Sequence, residues 1–205
     1  EALAQARAAQ QFLMPPDRGA HGGVAYAYVS RAVREVAGDL FDVVPLDGGR
    51  VALFLGDVAG KGVGAGVIMA ATQSLLRARL RSGAPLDEAV AAANDELAPR
   101  TGGGTFVTLL AAVVDPAAGE VEIVDAGHGY GVHAGPGDAP TFVRGGDGGY
   151  PIGVVAGSRW EGRRLPFLPG ARLIAFSDGV VEQADRGGRA FGDEAALEVV
   201  GRTGD

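Results

Sequence analysis

Two hydrophobic rhythms alternate along this chain, and the places where one gives way to the other outline its elements. Apolar, β-branched stretches at Val24–Val29, Val33–Val44 and Val51–Leu55 are separated by turn residues, including Asp47-Gly48-Gly49, and predict an antiparallel meander. Residues 64–82 then lose their Gly and Pro punctuation after Gly66 while holding Val67, Ile68, Leu75, Leu76 and Leu80. Residues 86–97 set Leu86, Ala89, Val90, Ala93 and Leu97 on one face, so this region predicts two helices. From Thr105 the strand rhythm returns over Phe106–Val114, Val121–Asp125, a Gly-rich broken run to Val143, Trp160–Phe167 and Arg172–Phe176. A short helix is expected around Glu194–Val200.

Ahead of all this, residues 1–14 are rich in helix formers, with Leu3, Ala6, Gln10 and Leu13 at 3-4-3 spacing before Pro15-Pro16 ends the run. They suit an ordinary amphipathic lead-in helix, or the last turns of a signalling helix that joins an upstream regulatory module. The order helix, strands, two helices, many strands, helix points to an α+β fold of antiparallel sheet layers flanked by helices, and disfavours a doubly wound parallel sheet. No internal repeat or long linker divides the chain, so the expectation is a linker helix over 1–16 and one domain over 17–205.

Composition narrows the chemistry. The 205 residues are 47% hydrophobic and 21% charged, ordinary for a domain with its own core. With no cysteine there is no disulfide framework, thiol nucleophile or thiolate metal site, so any site is built from oxygen and nitrogen. The 35 glycines and 11 prolines signal many turns. A formal net charge of −7 argues against nucleic acid or an anionic membrane as partner. Apolar runs such as Val51–Leu55 and Val67–Ala71 fall far short of the roughly 18 residues that cross a bilayer, and no secretory pattern opens the chain. A cytoplasmic location is expected, and the opening Glu1 leads us to expect a piece of a longer protein.

Three carboxylates stand beside glycine at the edges of strongly apolar segments: Asp39 in Val36-Ala-Gly-Asp-Leu-Phe-Asp42, Asp57 after Val51-Ala-Leu-Phe-Leu-Gly56, and Asp178 after Leu173-Ile-Ala-Phe-Ser177. Each alone suits a turn, as Asp47 beside Gly48 does. Gathered at about 5 Å in an effective dielectric near 20, each pair would repel by roughly 3 kcal/mol. Divalent cations would relieve that repulsion, and Mg²⁺ and Mn²⁺ favour such oxygen ligands. Two of them can turn a bridging water into hydroxide near neutral pH and screen a phosphate, which is the chemistry of phosphoester hydrolysis without a covalent intermediate. Spacing alone does not show that the three converge.

Other motifs carry less. Gly56 and Gly60 enclose three residues before Lys61 and Gly62 follows it, where a phosphate-binding loop needs four residues and then Ser or Thr. Lys61 is the only lysine among 18 basic residues, and it suits either a solvated helix entrance or a retained functional cation. His21, His128 and His133 share no metal-ligand spacing, and Asp125-Ala-Gly-His128 reads as a strand-to-turn corner. Neither Ser158 nor Ser177 sits in a Gly-x-Ser-x-Gly elbow, which argues against a serine hydrolase.

Five motifs in register resemble the bacterial metal-dependent protein phosphatases of the PPM family, in the SpoIIE/RsbU-like branch. They are Ala37-Gly-Asp-Leu-Phe-Asp42, the run from Leu46 through Asp57-Val-Ala-Gly-Lys-Gly62, Thr105-Phe-Val-Thr-Leu109, Asp125-Ala-Gly-His128 and Phe176-Ser-Asp-Gly-Val180. The resemblance runs from about Ala2 to Gly192. It implies an αββα sandwich, two antiparallel sheets between helices. It implies that Asp57 bridges two Mn²⁺ or Mg²⁺ ions, with the Val58 carbonyl assisting and Asp39 and Asp178 completing the cluster. Asp42 is expected to pack or support. The substrate class it implies is phosphoserine or phosphothreonine on a small protein, commonly a STAS-type anti-sigma-factor antagonist. The two helices after Gly62 resemble the pair that regulatory input moves, which makes an upstream sensory domain, and an optional homodimer through the lead helix, the expected partners.

The chain also departs from the pattern. The family's closing strand, with an Asp-Asp-x-Thr-like motif, is missing from the end at Arg202-Thr-Gly-Asp205. The corner after His128 reads Gly-Tyr-Gly in place of Asn-Pro-Pro, and Ala59 stands where eukaryotic relatives carry a histidine acid, so the resemblance implies that a metal-bound water protonates the leaving group. Two other readings remain open at this stage: a catalytically silent scaffold with the same fold, and a metal-dependent hydrolase of small phosphoesters.

Overall fold

The computed structural model describes residues 12–30, 39–60, 62–101, 104–145 and 149–202. Two short strands, β1 (Arg18–His21) and β2 (Val24–Ala27), turn back on each other as a small sheet of their own. The main sheet begins with β3 (Asp39–Pro45) and β4 (Val51–Val58), a hairpin closed by a single 3-10 turn over Asp47–Gly49, where Gly48 takes a φ of 74°. Two helices follow, α1 (Val63–Arg81) and α2 (Leu86–Thr101). Then come β5 (Val107–Asp115), β6 (Glu120–Ala126), β7 (Gly131–Ala134), β8 (Thr141–Val143), β9 (Arg163–Pro166) and β10 (Arg172–Ala175). A four-residue helix α3 (Asp178–Val181) and α4 (Gly192–Arg202) close the described chain.

Hydrogen bonding orders the strands as β3-β4-β5-β6-β9 in one antiparallel sheet and β10-β7-β8 in another. The five-stranded sheet is apolar on both faces, and its two-residue period sorts the side chains cleanly. Ala52, Phe54 and Val58 of β4 join Leu40 and Val44 of β3 in a cluster with Met69, Leu76, Val90 and Leu97 of the two helices. Phe41, Val43, Val51, Leu110 and Ile123 lie on the opposite face, with Val143 of β8 and Leu173 and Ala175 of β10. Helices α1 and α2 therefore cover one face of the large sheet, and the small sheet covers the other. Helix α4 reaches the small sheet through Arg172 of β10, whose Nη1 donates to the Val200 carbonyl at 3.1 Å. This layering is the expected αββα arrangement.

The sequence pattern and the structure part company in a few places. Among the described residues the first three stretches do not form one meander: there β2 pairs only with β1, which falls in a stretch that the residue pattern treats as a break. The small hairpin instead lies against β3 through aromatic rings, with Tyr28 stacked on Phe41 at 4.1 Å between centroids. Helix α2 runs past Pro99 to Thr101, four residues beyond the predicted end. The lead helix lies outside the described residues except for Phe12–Met14, which form a turn. Lys61 and the segment 31–38 also lie outside them.

Candidate active site

The β3–β4 register sets Asp39 directly opposite Asp57 at the open end of the hairpin. Cα atoms of such facing residues lie about 4.5–5.5 Å apart. Two of the three predicted carboxylate positions are thus immediate neighbours, drawn from segments 18 residues apart in the chain. Asp57 follows Leu53 and Leu55 at two-residue steps, which places it on the face toward the small sheet, and it is half-buried. Across β4 it faces Thr108, whose hydroxyl donates to the Asp57 carbonyl at 3.4 Å. The preceding Gly56 permits this closeness: a Cβ there would stand 2.5 Å from the Thr108 carbonyl oxygen. Val58, expected to lend a carbonyl, is the last residue of β4, and its side chain is buried on the helix-covered face.

Asp42, three residues beyond Asp39, falls on the other face. It is fully buried and forms an ion pair with Arg77 of α1, whose Nε donates to its Oδ2 at 2.9 Å. Its Oδ1 also accepts from the Val43 amide at 2.8 Å. The expected packing role is therefore concrete: Asp42 ties α1 to the strand that carries Asp39.

Asp178 begins α3 and is exposed. It does not stand in the five-stranded sheet but follows β10, and its surroundings are the corner at His128. Asp125, buried at the end of β6, caps that corner by accepting from the amides of His128 at 2.7 Å, Gly129 at 3.1 Å and Gly145 at 3.1 Å. The corner is drawn against the main sheet by a bridge between Leu109 and Gly127. Gly127 has a φ of +73°, and a Cβ on it would meet the Gly149 carbonyl and Pro151 at 2.9 Å. The His128 ring contacts the chain just before Asp178, with Nε2 3.1 Å from the Phe176 carbonyl. Because a carbonyl only accepts, Nε2 carries the proton. Burial pulls the His128 pKa below its ordinary 6.5, against the opposing pull of Asp125, the Phe176 carbonyl and Asp178. Burial, followed by the carboxylates of Asp178, Glu182 and Asp193, pushes the neighbouring Tyr130 phenol up.

The remaining candidates disperse. His21 stacks on Tyr26 in the small hairpin, and His133 Nε2 bonds the Pro166 carbonyl at 2.9 Å, so the three histidines serve separate elements. Ser177 precedes α3 without a side-chain cap. Among the described residues, whose side chains do not include Asp39, no three His, Asp or Glu groups gather closely enough to hold an ion. Sequence reasoning placed Asp125 in a strand-to-turn corner, as the structure shows, but did not name it as the cap, and it passed over Arg77. An Asp three residues ahead of its amide partner in a Gly-containing corner is a recognisable Asx-type signal for the cap. Arg77 gives none, because its partner lies 35 residues away. The donor set at the hairpin end suits a hard divalent cation: carboxylate residues face each other with backbone carbonyls alongside and no cysteine in the chain.

The comparisons with known proteins agree with this architecture. The model of the SpoIIE family, stage II sporulation protein E, matches residues 47–205, a span that takes in Asp57, Val58 and Asp178 and begins after Asp39. Protein IcfG of Synechocystis sp. is 25% identical over 207 residues, covering 84% of this chain and 31% of IcfG. The crystal structure of the RsbU and RsbW domains of Rv1364c from Mycobacterium tuberculosis superposes with a TM-score of 0.68 at 25% identity, over 85% of this chain and 46% of that one. The SiaA-PP2C domain of Pseudomonas aeruginosa shares the fold, with a TM-score of 0.78 at 14% identity over 97% of this chain and 80% of that one. The chain thus spans under a third of IcfG and under half of the Rv1364c structure. A family match over more than half its length, carried on a sheet sandwich of the same kind, means that the chain belongs to the SpoIIE family, in the RsbU-like branch of the PPM (PP2C-type) protein serine/threonine phosphatases.

Proposed function

We propose that this domain, residues 17–205, hydrolyses phosphoserine or phosphothreonine on a small regulatory protein, with a STAS-type anti-sigma-factor antagonist as the substrate class. The observation that carries the reading is the placing of Asp39 opposite Asp57 in the β3–β4 ladder. In this reading Asp57, Asp39 and the Val58 carbonyl hold two Mn²⁺ or Mg²⁺ ions, and Asp178 approaches from the small-sheet side. Bound there, such ions would bring the pKa of a coordinated water toward neutrality and offset the charge of the phosphate.

The chain's own residues supply charge and placement. Asp57 presents its carboxylate at the rim of the sandwich, where Gly56 lets β5 come close and Thr108 holds its backbone. Asp178, exposed at the start of α3, is open to a phosphorylated loop from solvent in this reading. Ala59 offers no proton to a leaving serine, so that proton comes from water. The segment before Met14, with whatever regulatory domain precedes it, is the proposed route of control. A cytoplasmic setting fits a protein substrate of this kind, and among the described residues no helix is long and apolar enough to cross a membrane.

Phosphate release from phosphoserine STAS proteins, measured with and without Mn²⁺, tests the proposal. Release that needs Mn²⁺ and disappears in Asp57→Asn is the expected result, whereas an Asp57→Asn protein as fast as the parent sinks it. One observation favours a second reading, a silent scaffold with this fold: among the described residues no three acidic or His side chains gather. Calorimetric titration separates the two, since a scaffold takes up no Mn²⁺ tightly.

A further inference from the structure

We infer that His128 is a positioning residue for Asp178: its Nε2–H holds the Phe176 carbonyl and thereby fixes the loop that presents the Asp178 carboxylate. The inference rests on the reading of Asp178 as a site residue and deepens it.

Asp178 needs such support. It is exposed, it lies on a helix of only four residues, and Ser177 before it makes no side-chain cap. Nothing within α3 is long enough to hold it in place. The anchor is instead two residues upstream, where both backbone groups of Phe176 are tied to one corner. Its amide donates to the Tyr130 carbonyl at 3.2 Å, and its carbonyl accepts from His128 Nε2 at 3.1 Å. The Phe176 ring packs beside Tyr130, with centroids 5.9 Å apart, and Tyr130 meets the His128 ring edge-on at 6.1 Å.

The corner is itself rigidly held. Asp125 accepts from three backbone amides, and the Leu109–Gly127 bridge joins it to β5 immediately beside Thr108, the residue that faces Asp57. A continuous run of bonded groups therefore leads from the strand next to Asp57, through Gly127 and His128, to the carbonyl two residues before Asp178. It fixes one edge of the small sheet relative to the rim of the large one. A structural histidine needs only to fill space. A positioning one needs a donor at Nε2, and the two roles predict different behaviour on substitution.

The test compares the parent with His128→Phe, which keeps the volume and loses the donor, and His128→Gln, whose amide nitrogen reaches about as far as Nε2. Two quantities are read: hydrogen exchange of the backbone amides over residues 176–182 without metal, and Mn²⁺ affinity by calorimetry. His128→Phe should speed exchange in that segment and weaken Mn²⁺ binding about tenfold or more, as loss of an outer-shell partner does. His128→Gln should restore both to near the parent.

Unchanged exchange in His128→Phe, or a His128→Gln protein that behaves like His128→Phe, overturns the inference. Should His128→Phe fail to fold, nitrogen-15 NMR of the parent ring decides it: the Nε2–H tautomer supports the bond and the Nδ1–H tautomer overturns it. A parent that binds no Mn²⁺ while the exchange pattern holds overturns the metal reading of the preceding subsection and upholds the role of His128 in placing the loop.

Discussion

Asp42 and Asp57 belong to the same hairpin, and both end apolar runs, yet the structure gives them opposite surroundings. Asp42 points to the helix-covered face, is fully buried, and is satisfied by Arg77 and the Val43 amide. Asp57 points to the other face, at the rim, half-buried and opposite Asp39. Asp42 is paired with Arg77 beneath α1, and Asp57 stands across the ladder from Asp39. In a strand, a step of one residue decides which of these environments a side chain meets. The comparison teaches that in this hairpin the face a carboxylate points to decides its neighbours: a buried ion pair beneath α1 on one face, and a rim position facing Asp39 on the other.

The largest effect should come from Asp57→Asn. Removing the charge should lower Mn²⁺-dependent phosphate release by about 100-fold or more. The metal-free melting temperature should move by no more than about 4 °C, because Asp57 is half-buried at the rim and Asn keeps its size. Asp42→Ala should do the reverse. It leaves the Val43 amide and Arg77 without their acceptor and should cost about 2–3 kcal/mol in urea unfolding, less than for a wholly buried pair because Arg77 is one-third exposed. Its activity per folded molecule in saturating Mn²⁺ should stay within a few-fold of the parent. If Asp42→Ala abolishes turnover without loss of stability, the division between the faces is wrong.

A smaller effect concerns pH. The folded-state pKa of His128 lies below its ordinary 6.5, so its contribution to stability is complete above 6.5. Below 6.5 the unfolded chain takes up a proton that the folded chain resists, and stability declines until the folded-state value is passed. Metal-free unfolding followed from pH 7 downward should show this decline, and His128→Gln should flatten it. The smallest effect belongs to the Arg100–Glu96 pair on the outside of α2, with side chains 69% and 49% exposed. Glu96→Gln should change unfolding free energy by no more than about 0.5 kcal/mol and leave Mn²⁺ affinity untouched.

Much of this was legible before any coordinates. The strand and helix rhythms located α1, α2 and most strands of the two larger sheets, because a two-residue or 3.6-residue repeat reports which face is buried. The turn at Asp47–Gly49 was legible for a local reason, the positive φ that glycine supplies. Strand β2 lies within the expected stretch Val24–Val29, but β1 and its pairing with β2 were missed because a four-residue strand with no buried residue leaves almost no pattern. Helix α3 was missed because four residues are too few for a helical period to show.

By itself the sequence determined the kind of chain this is: an antiparallel α+β domain with no thiol chemistry, and with carboxylates beside glycines in the order of a known phosphatase family. Only the tertiary structure decided the company those carboxylates keep. The ladder register paired Asp39 with Asp57, the packing of α1 on the sheet brought Arg77 to Asp42, and the crossing between the sheets set Phe176 against His128. Local periodicity is a property of neighbours in the chain. These encounters join residues 18, 35 and 48 positions apart, and they exist only once the strands have been laid side by side.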